Sequence, residues 1–129
     1  MHRSRLCAFV IDCNSDDLDR AAEFWGRALG KQVDASKVDT ASYRELMTRP
    51  DEAILLIQNV NHQSWIHLDI ETDNLDAEVR RLETLGAKRV AFIKRWWVME
   101  APTGQRFCVV NPQRGSLETT GNEWRDNGE

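Results

Sequence analysis

The sequence predicts an α+β fold made of two copies of one strand-helix-strand-strand-strand (βαβββ) unit, and three observations carry the prediction. The first is an internal repeat. Ile11-Asp12, then Asp17-Leu18-Asp19 and a helical run ending in Leu29-Gly30-Lys31, is echoed by Ile70-Glu71, then Asn74-Leu75-Asp76 and a run ending in Leu85-Gly86-Ala87. Leu18 to Leu29 spans 11 positions and Leu75 to Leu85 spans 10. The second is helical periodicity: Leu18, Ala22, Trp25 and Leu29, then Leu75, Val79, Leu82 and Leu85, recur at spacings of three and four, one face of a 3.6-residue period. The third is the character of the intervening segments, short apolar or alternating runs bounded by turn residues. One such unit cannot bury both faces of its sheet. Two can, when their sheets join into a curved mixed sheet around a cleft with both helices outside.

The elements follow in order. Residues 5–12 are nearly all apolar and end in Asn14-Ser15-Asp16-Asp17, a buried strand leading to a helix cap, with Ser15 or Asp16 as the capping acceptor. Gly30 stops that helix. Residues 31–36 and 42–48 form strands joined by a turn at 37–40, and Arg49-Pro50-Asp51-Glu52 is a second turn. Residues 53–57 form a buried strand, and the polar stretch 59–64 is the seam between units. Trp65 to Glu71 alternates cleanly, Ile66, Leu68 and Ile70 on one face and Trp65, His67, Asp69 and Glu71 on the other. A helix through Leu85, strands at 89–93, 96–100 and 106–110, and a turn at 101–104 complete the second unit. The organisation is a single domain over 1–112, with module one at about 5–58 and module two at about 65–112. Residues 113–129 form a polar, frayed tail in which Trp124 is the one residue suited to docking.

Composition narrows the class. The chain has 129 residues, is 41% hydrophobic and carries a net charge of −4. It is globular, and no basic cluster suits nucleic acid as a partner. No apolar run approaches the roughly 20 residues of a membrane span, and the N-terminus lacks a signal-peptide core, so a cytoplasmic location is expected. Cys7, Cys13 and Cys108 form neither a CxxC nor a metal-finger spacing and are expected as reduced thiols. GxSxG, phosphate-loop, GxGxxG and HExxH motifs are all missing.

Four stretches, Val10-Ile11-Asp12-Cys13, Phe24-Trp25 with Leu29-Gly30, His67-Leu68-Asp69-Ile70 with Asp73 to Asp76, and Pro102-Thr103-Gly104-Gln105-Arg106-Phe107, span roughly residues 5–112. In this order the chain resembles the vicinal oxygen chelate superfamily, and most closely its glyoxalase-like domains. The superfamily includes glyoxalase I, extradiol dioxygenases and bleomycin-binding proteins. The resemblance implies a glyoxalase/bleomycin resistance fold. It also implies a divalent ion held, in metal-using members, by side chains on the first and last strands of each module. The matching positions here are Ala8, Leu56, His67 and Cys108. Ala and Leu offer no donor, and a zinc site needs at least three protein ligands, so no metal and no cofactor is expected. A shift of one residue would bring Asp12, Gln58 or Asp69 into the set, at the cost of turning a side chain to the other sheet face.

The expected binding residues are His67, Asp69, Tyr43, Trp65, Trp97 and Cys108. His67 suits hydrogen bonding or proton transfer near neutral pH. Asp69 lies mid-strand, whereas Asp12 and Glu71 are read as solvated or paired with arginines. Trp96 and Trp97 must face opposite ways, and Trp97 is assigned to the cleft with Trp65 and Tyr43, while Trp25 belongs to the core. Cys108 has no adjacent base in sequence to activate it. The expected function is binding of a small organic molecule in the cleft by a homodimer. The alternatives are a metal-dependent lyase, isomerase or dioxygenase, and a non-catalytic interaction module.

Overall fold

A computed structural model describes residues 1–37 and 42–125. The predicted turn at 37–40 falls largely outside the described residues. The chain divides into two compact units, one of Ala8–His67 and one of Met1–Cys7 with the segment from Leu68 onward. The fold is α+β with mixed sheets, as the sequence predicts. No helix among the described residues is long and apolar enough to cross a membrane.

In the first unit β1 (His2–Cys13), whose second half lies here, runs parallel to β3 (Ile54–Asn59), and β3 pairs antiparallel with β2 (Tyr43–Leu46). Helix α1 (Leu18–Leu29) covers one sheet face. Asp17 caps it, rather than Ser15 or Asp16: its carboxylate accepts from Arg20 N at 3.1 Å, while Ser15 Oγ accepts from Asp17 N at 3.1 Å and sets up the turn before it. Gly30 ends the helix at φ 70°, the left-handed backbone that glycine adopts without strain. Leu18 and Ala22 enter a core with Ile11, Leu46 and Ile57, and Trp25 packs against it. Leu29 does not follow; it stays exposed, and Gly26 takes the buried position. The chain folds back so tightly after α1 that a Cβ on Gly26 would lie 2.7 Å from the Lys31 carbonyl oxygen. The strand expected over 31–36 reduces to one bridge, Val33 to Leu46, followed by a 3-10 turn over Ala35–Lys37.

In the second unit β4 (Trp65–Thr72), from Leu68 on, runs parallel to β7 (Arg106–Val110). Antiparallel pairing continues through β6 (Trp96–Glu100) to β5 (Lys88–Ile93). Helix α2 (Leu75–Thr84), capped by Asn74, packs Val79 and Leu82 against Met99, Val109 and Ala87. Leu85, expected on the buried stripe, is exposed at the C-cap, and Glu78 is buried instead. Each unit thus joins its first and last strands in parallel, the structural form of the repeat.

Residues 113–125 are not frayed. Helix α3 (Leu117–Thr120) leads into β8 (Asn122–Trp124), which pairs antiparallel with His2–Ser4 of β1. The Arg3 guanidinium donates to Glu118 O at 3.2 Å and Glu123 Oε2 at 2.6 Å. Trp124 donates its indole N–H to Ser4 Oγ at 2.8 Å and lies under the Arg81 guanidinium, 3.9 Å away. Buried Leu117 anchors the segment, which its polar composition concealed.

Candidate functional site

Alternation along the strands of the first unit sends Ile11, Leu55, Ile57 and Leu46 toward α1. Ala8, Val10, Asp12, Leu56, Gln58 and Tyr43 therefore share the opposite face. Asp12 is in register with Gln58, and Gln58 with Tyr43, so three strands place three polar side chains in a row. Gln58 Nε2 donates to the Tyr43 hydroxyl at 3.2 Å. The row is extended by His67, whose Nδ1 lies 2.8 Å from Asp12 Oδ2. The two side chains are 14% and 3% exposed. Asp12 Oδ1 is buried and has no hydrogen-bond partner among the described residues. Asp12 is thus neither solvated nor paired with an arginine, as its sequence position suggested; it holds the histidine.

Of this row, sequence reasoning singled out His67 and Tyr43 as expected binding residues and set Asp12 and Gln58 aside. The available signal was their shared context, since Ile11-Asp12 and Ile57-Gln58 each close an apolar strand with a polar side chain. Of the two metal positions implied in this unit, Ala8 sits opposite Ile54 and Leu56 opposite Val10, an apolar patch beside the polar row. Trp65 is half-exposed and stacks on His62, ring centroids 4.2 Å apart. An open depression of about 610 Å³ lies past the ends of β1 and β3, lined by Asn14, Asp16, Asn59 and His62. The His67–Asp12 pair is not part of its wall.

In the second unit Asp69 is in register with Cys108, and Cys108 with Val98. A carboxylate oxygen of Asp69 and Cys108 Sγ come within 4.8 Å of each other. His67 precedes Asp69 by two positions on the same strand and so projects from the same strand face. Trp97 does not share that face. It packs under α2, 5.2 Å from Phe92 and 5.0 Å from the Arg89 guanidinium, because Trp97, Met99, Phe107 and Val109 form the helix side. By alternation Trp96 occupies the side of Cys108. Glu71 is buried and bonded to Arg5 Nε at 2.7 Å and to Gln113 N at 2.7 Å, the arginine pairing expected for it. All three cysteines are free thiols. Burial, reinforced by the charges of Glu71 and Asp69, pushes the Cys7 thiol up to about 12, and burial also raises Cys13.

A model of the glyoxalase-like domain matches residues 8–110, and the chain belongs to that family, within the vicinal oxygen chelate superfamily. No curated protein matches it in sequence. Among solved structures, the methylmalonyl-CoA epimerase of Mycobacterium tuberculosis is similar at TM-score 0.57 and 22% identity, over 84% of this chain and 87% of that one. An extradiol ring-cleaving dioxygenase from B. fuscum is similar at TM-score 0.56 and 16% identity, over 92% of this chain but 34% of the dioxygenase. A hypothetical protein from Bacillus halodurans C-125 gives 0.52 and 11%, over 88% and 99%. At these identities the likeness shows the fold, and one fold hosts many chemistries.

Proposed function

We propose that this protein binds a small organic molecule against the sheet face of its first unit that lies opposite α1, at the row Tyr43, Gln58, Asp12 and His67, without a metal. The observation that carries the reading is the buried Asp12–His67 pair. A largely buried carboxylate is costly in an otherwise apolar strand face, and it orients an imidazole beside the apolar patch of Ala8, Val10 and Leu56. An apolar surface with a few fixed polar groups is the usual composition of a small-molecule site. Trp65 is the aromatic side chain of this unit that would extend it. The test is a thermal-shift screen of chelator-treated protein against organic acids, phenols and amines. A true ligand at 100 times its Kd adds about 2.7 kcal/mol of apparent stability. The shift is expected to vanish in His67→Ala and to shrink in Tyr43→Phe. A screen without any stabiliser would instead favour the interaction-module reading.

A second reading, metal-dependent catalysis, is favoured by one observation: Asp69 and Cys108 bring a carboxylate and a thiol together in the second unit. Asp69 and Cys108 would supply two donors to such an ion, whose Lewis acidity would stabilise a developing oxyanion. A sulfur donor beside a carboxylate suits zinc better than magnesium. Stoichiometric metal in protein purified without chelator, lost in Cys108→Ala, would replace the metal-free reading. The proposal also includes a cytoplasmic homodimer. The exposed apolar side chains Phe9, Trp65 and Ile66 of the first unit support a second copy; sedimentation over a concentration series tests it.

A further inference from the structure

We infer that the depression past the ends of β1 and β3 is a binding site in its own right, which takes a neutral polyhydroxylated ring, a sugar or glycoside, by its adjacent hydroxyls. It lies wholly within the first unit, and the row of Tyr43, Gln58, Asp12 and His67 does not line it. Its volume of about 610 Å³ falls in the roughly 300–1,000 Å³ range of small-molecule sites.

The wall decides the class of ligand. Asn14, Asn59 and Asn61 bring three side-chain amides to it, and Asp16 a carboxylate. Asparagines in loops ordinarily turn their amides onto nearby backbone to close a turn. Here the backbone is held by other groups: Asn14 N donates to Ser64 Oγ at 2.9 Å, Asn59 N to Ser42 O at 2.9 Å and Val60 N to Cys13 O at 3.0 Å. The three side-chain amides have no hydrogen-bond partner among the described residues. An amide presents donor N–H groups beside an acceptor oxygen, and two adjacent hydroxyls present the complement, so one asparagine can engage both. The Asp16 carboxylate accepts from further hydroxyls. No Lys or Arg lines the depression among the described residues, and Asp16 repels an anion, so phosphates and carboxylic acids are poor occupants. An ammonium offers donors only and leaves the amide N–H groups unused. His62 supplies a flat wall. Its Nδ1 lies 2.8 Å from Gln63 O, and its ring stacks on Trp65 with centroids 4.2 Å apart and planes at 29°. A ring held from two directions loses little freedom on binding, and it can meet the C–H face of a sugar while the amides hold the hydroxyl edge.

The experiment is a proton–nitrogen correlation titration of ¹⁵N-labelled protein with the methyl glycosides of glucose, galactose, mannose and xylose. At least one is expected to give saturable shifts centred on the side-chain amides of Asn14, Asn59 and Asn61 and on the backbone of 59–62. Asn59→Ala and Asn61→Ala, both at exposed positions, are expected to keep a native backbone spectrum and to weaken binding about two- to tenfold each, the worth of one hydrogen-bonded group. Choline chloride and inorganic phosphate are expected to give no saturable shift at these residues. The inference is overturned by the lack of a saturable shift with all four glycosides, by a stronger response to choline or phosphate, or by undiminished affinity in both variants. Shifts centred on Gln58 and Tyr43 overturn it too, and would assign the glycoside to the polar row; the titration thus separates failure of this site from failure of the binding proposal.

Discussion

Replacing Glu78 with alanine is expected to cost about 3 kcal/mol of stability. Glu78 is fully buried on α2 in the second unit. It takes two hydrogen bonds of 2.8 Å from Arg81, and His2 Nε2 lies 2.8 Å from its Oε1. Breaking a buried ionic pair by removing one partner costs about 3–5 kcal/mol, because the remaining groups lose their compensation. The Arg81 side chain is partly exposed and can turn toward water, which places the figure at the lower end. His2 cannot do so, being 2% exposed. For a chain of this length the loss corresponds to a fall in Tm of about 10 °C. Burial pushes the Glu78 carboxyl up, but the hydrogen bonds from Arg81, His2 and Ser4 outweigh it and hold the group below its ordinary value of 4.5. A depressed acid stabilises the fold above its unfolded pKa and loses that contribution as pH falls through the folded value. Urea denaturation should therefore show a constant gap between wild type and Glu78→Ala from pH 5 to 8, closing as the pH drops below about 4.5. Arg81 also stacks on Trp124, so indole fluorescence should change in the folded variant. A gap under about 1 kcal/mol, or one that persists in acid, would refute the reasoning.

Other outcomes follow from single contacts. Ile57→Ala, in the fully buried α1 core, should cost about 2–5 kcal/mol in denaturant midpoints at unchanged m-value. Gly26→Ala and Gly30→Ala should differ in cause. The first forces a Cβ to 2.7 Å from a backbone oxygen and should cost about 1–3 kcal/mol by overpacking. The second meets open space and loses only the left-handed conformation, about 1–2 kcal/mol. Cys7, with its thiol pushed up to about 12, should resist iodoacetamide in native protein at pH 8, with mass spectrometry showing modification only after unfolding.

The repeat, the two amphipathic helices and most strands are legible in sequence because period and punctuation are local. Leu18 and Leu75 mark the same point of each unit, and Gly30 ends α1 where its backbone freedom is needed. Misreadings arise where a partner distant in the chain overrides a local pattern. Leu29 and Leu85 fit the helical stripe but find no surface to cover, while Gly26 and Glu78 are buried by a backbone carbonyl and by an ionic network. The polar tail is ordered by its pairing with β1, about 120 residues earlier in the chain.

The candidate site divides in the same way. Sequence alone determined that His67 and Asp69 share a strand face, and that Ala8 and Leu56 cannot ligate a metal, because alternation and side-chain chemistry are properties of the residues themselves. Only the tertiary structure decided which of two adjacent tryptophans lies under α2, since strand alternation fixes that the two point apart but not which way the sheet turns. Only it decided that Asp12 meets His67, because 55 residues separate them and a 2.8 Å contact depends on strand register.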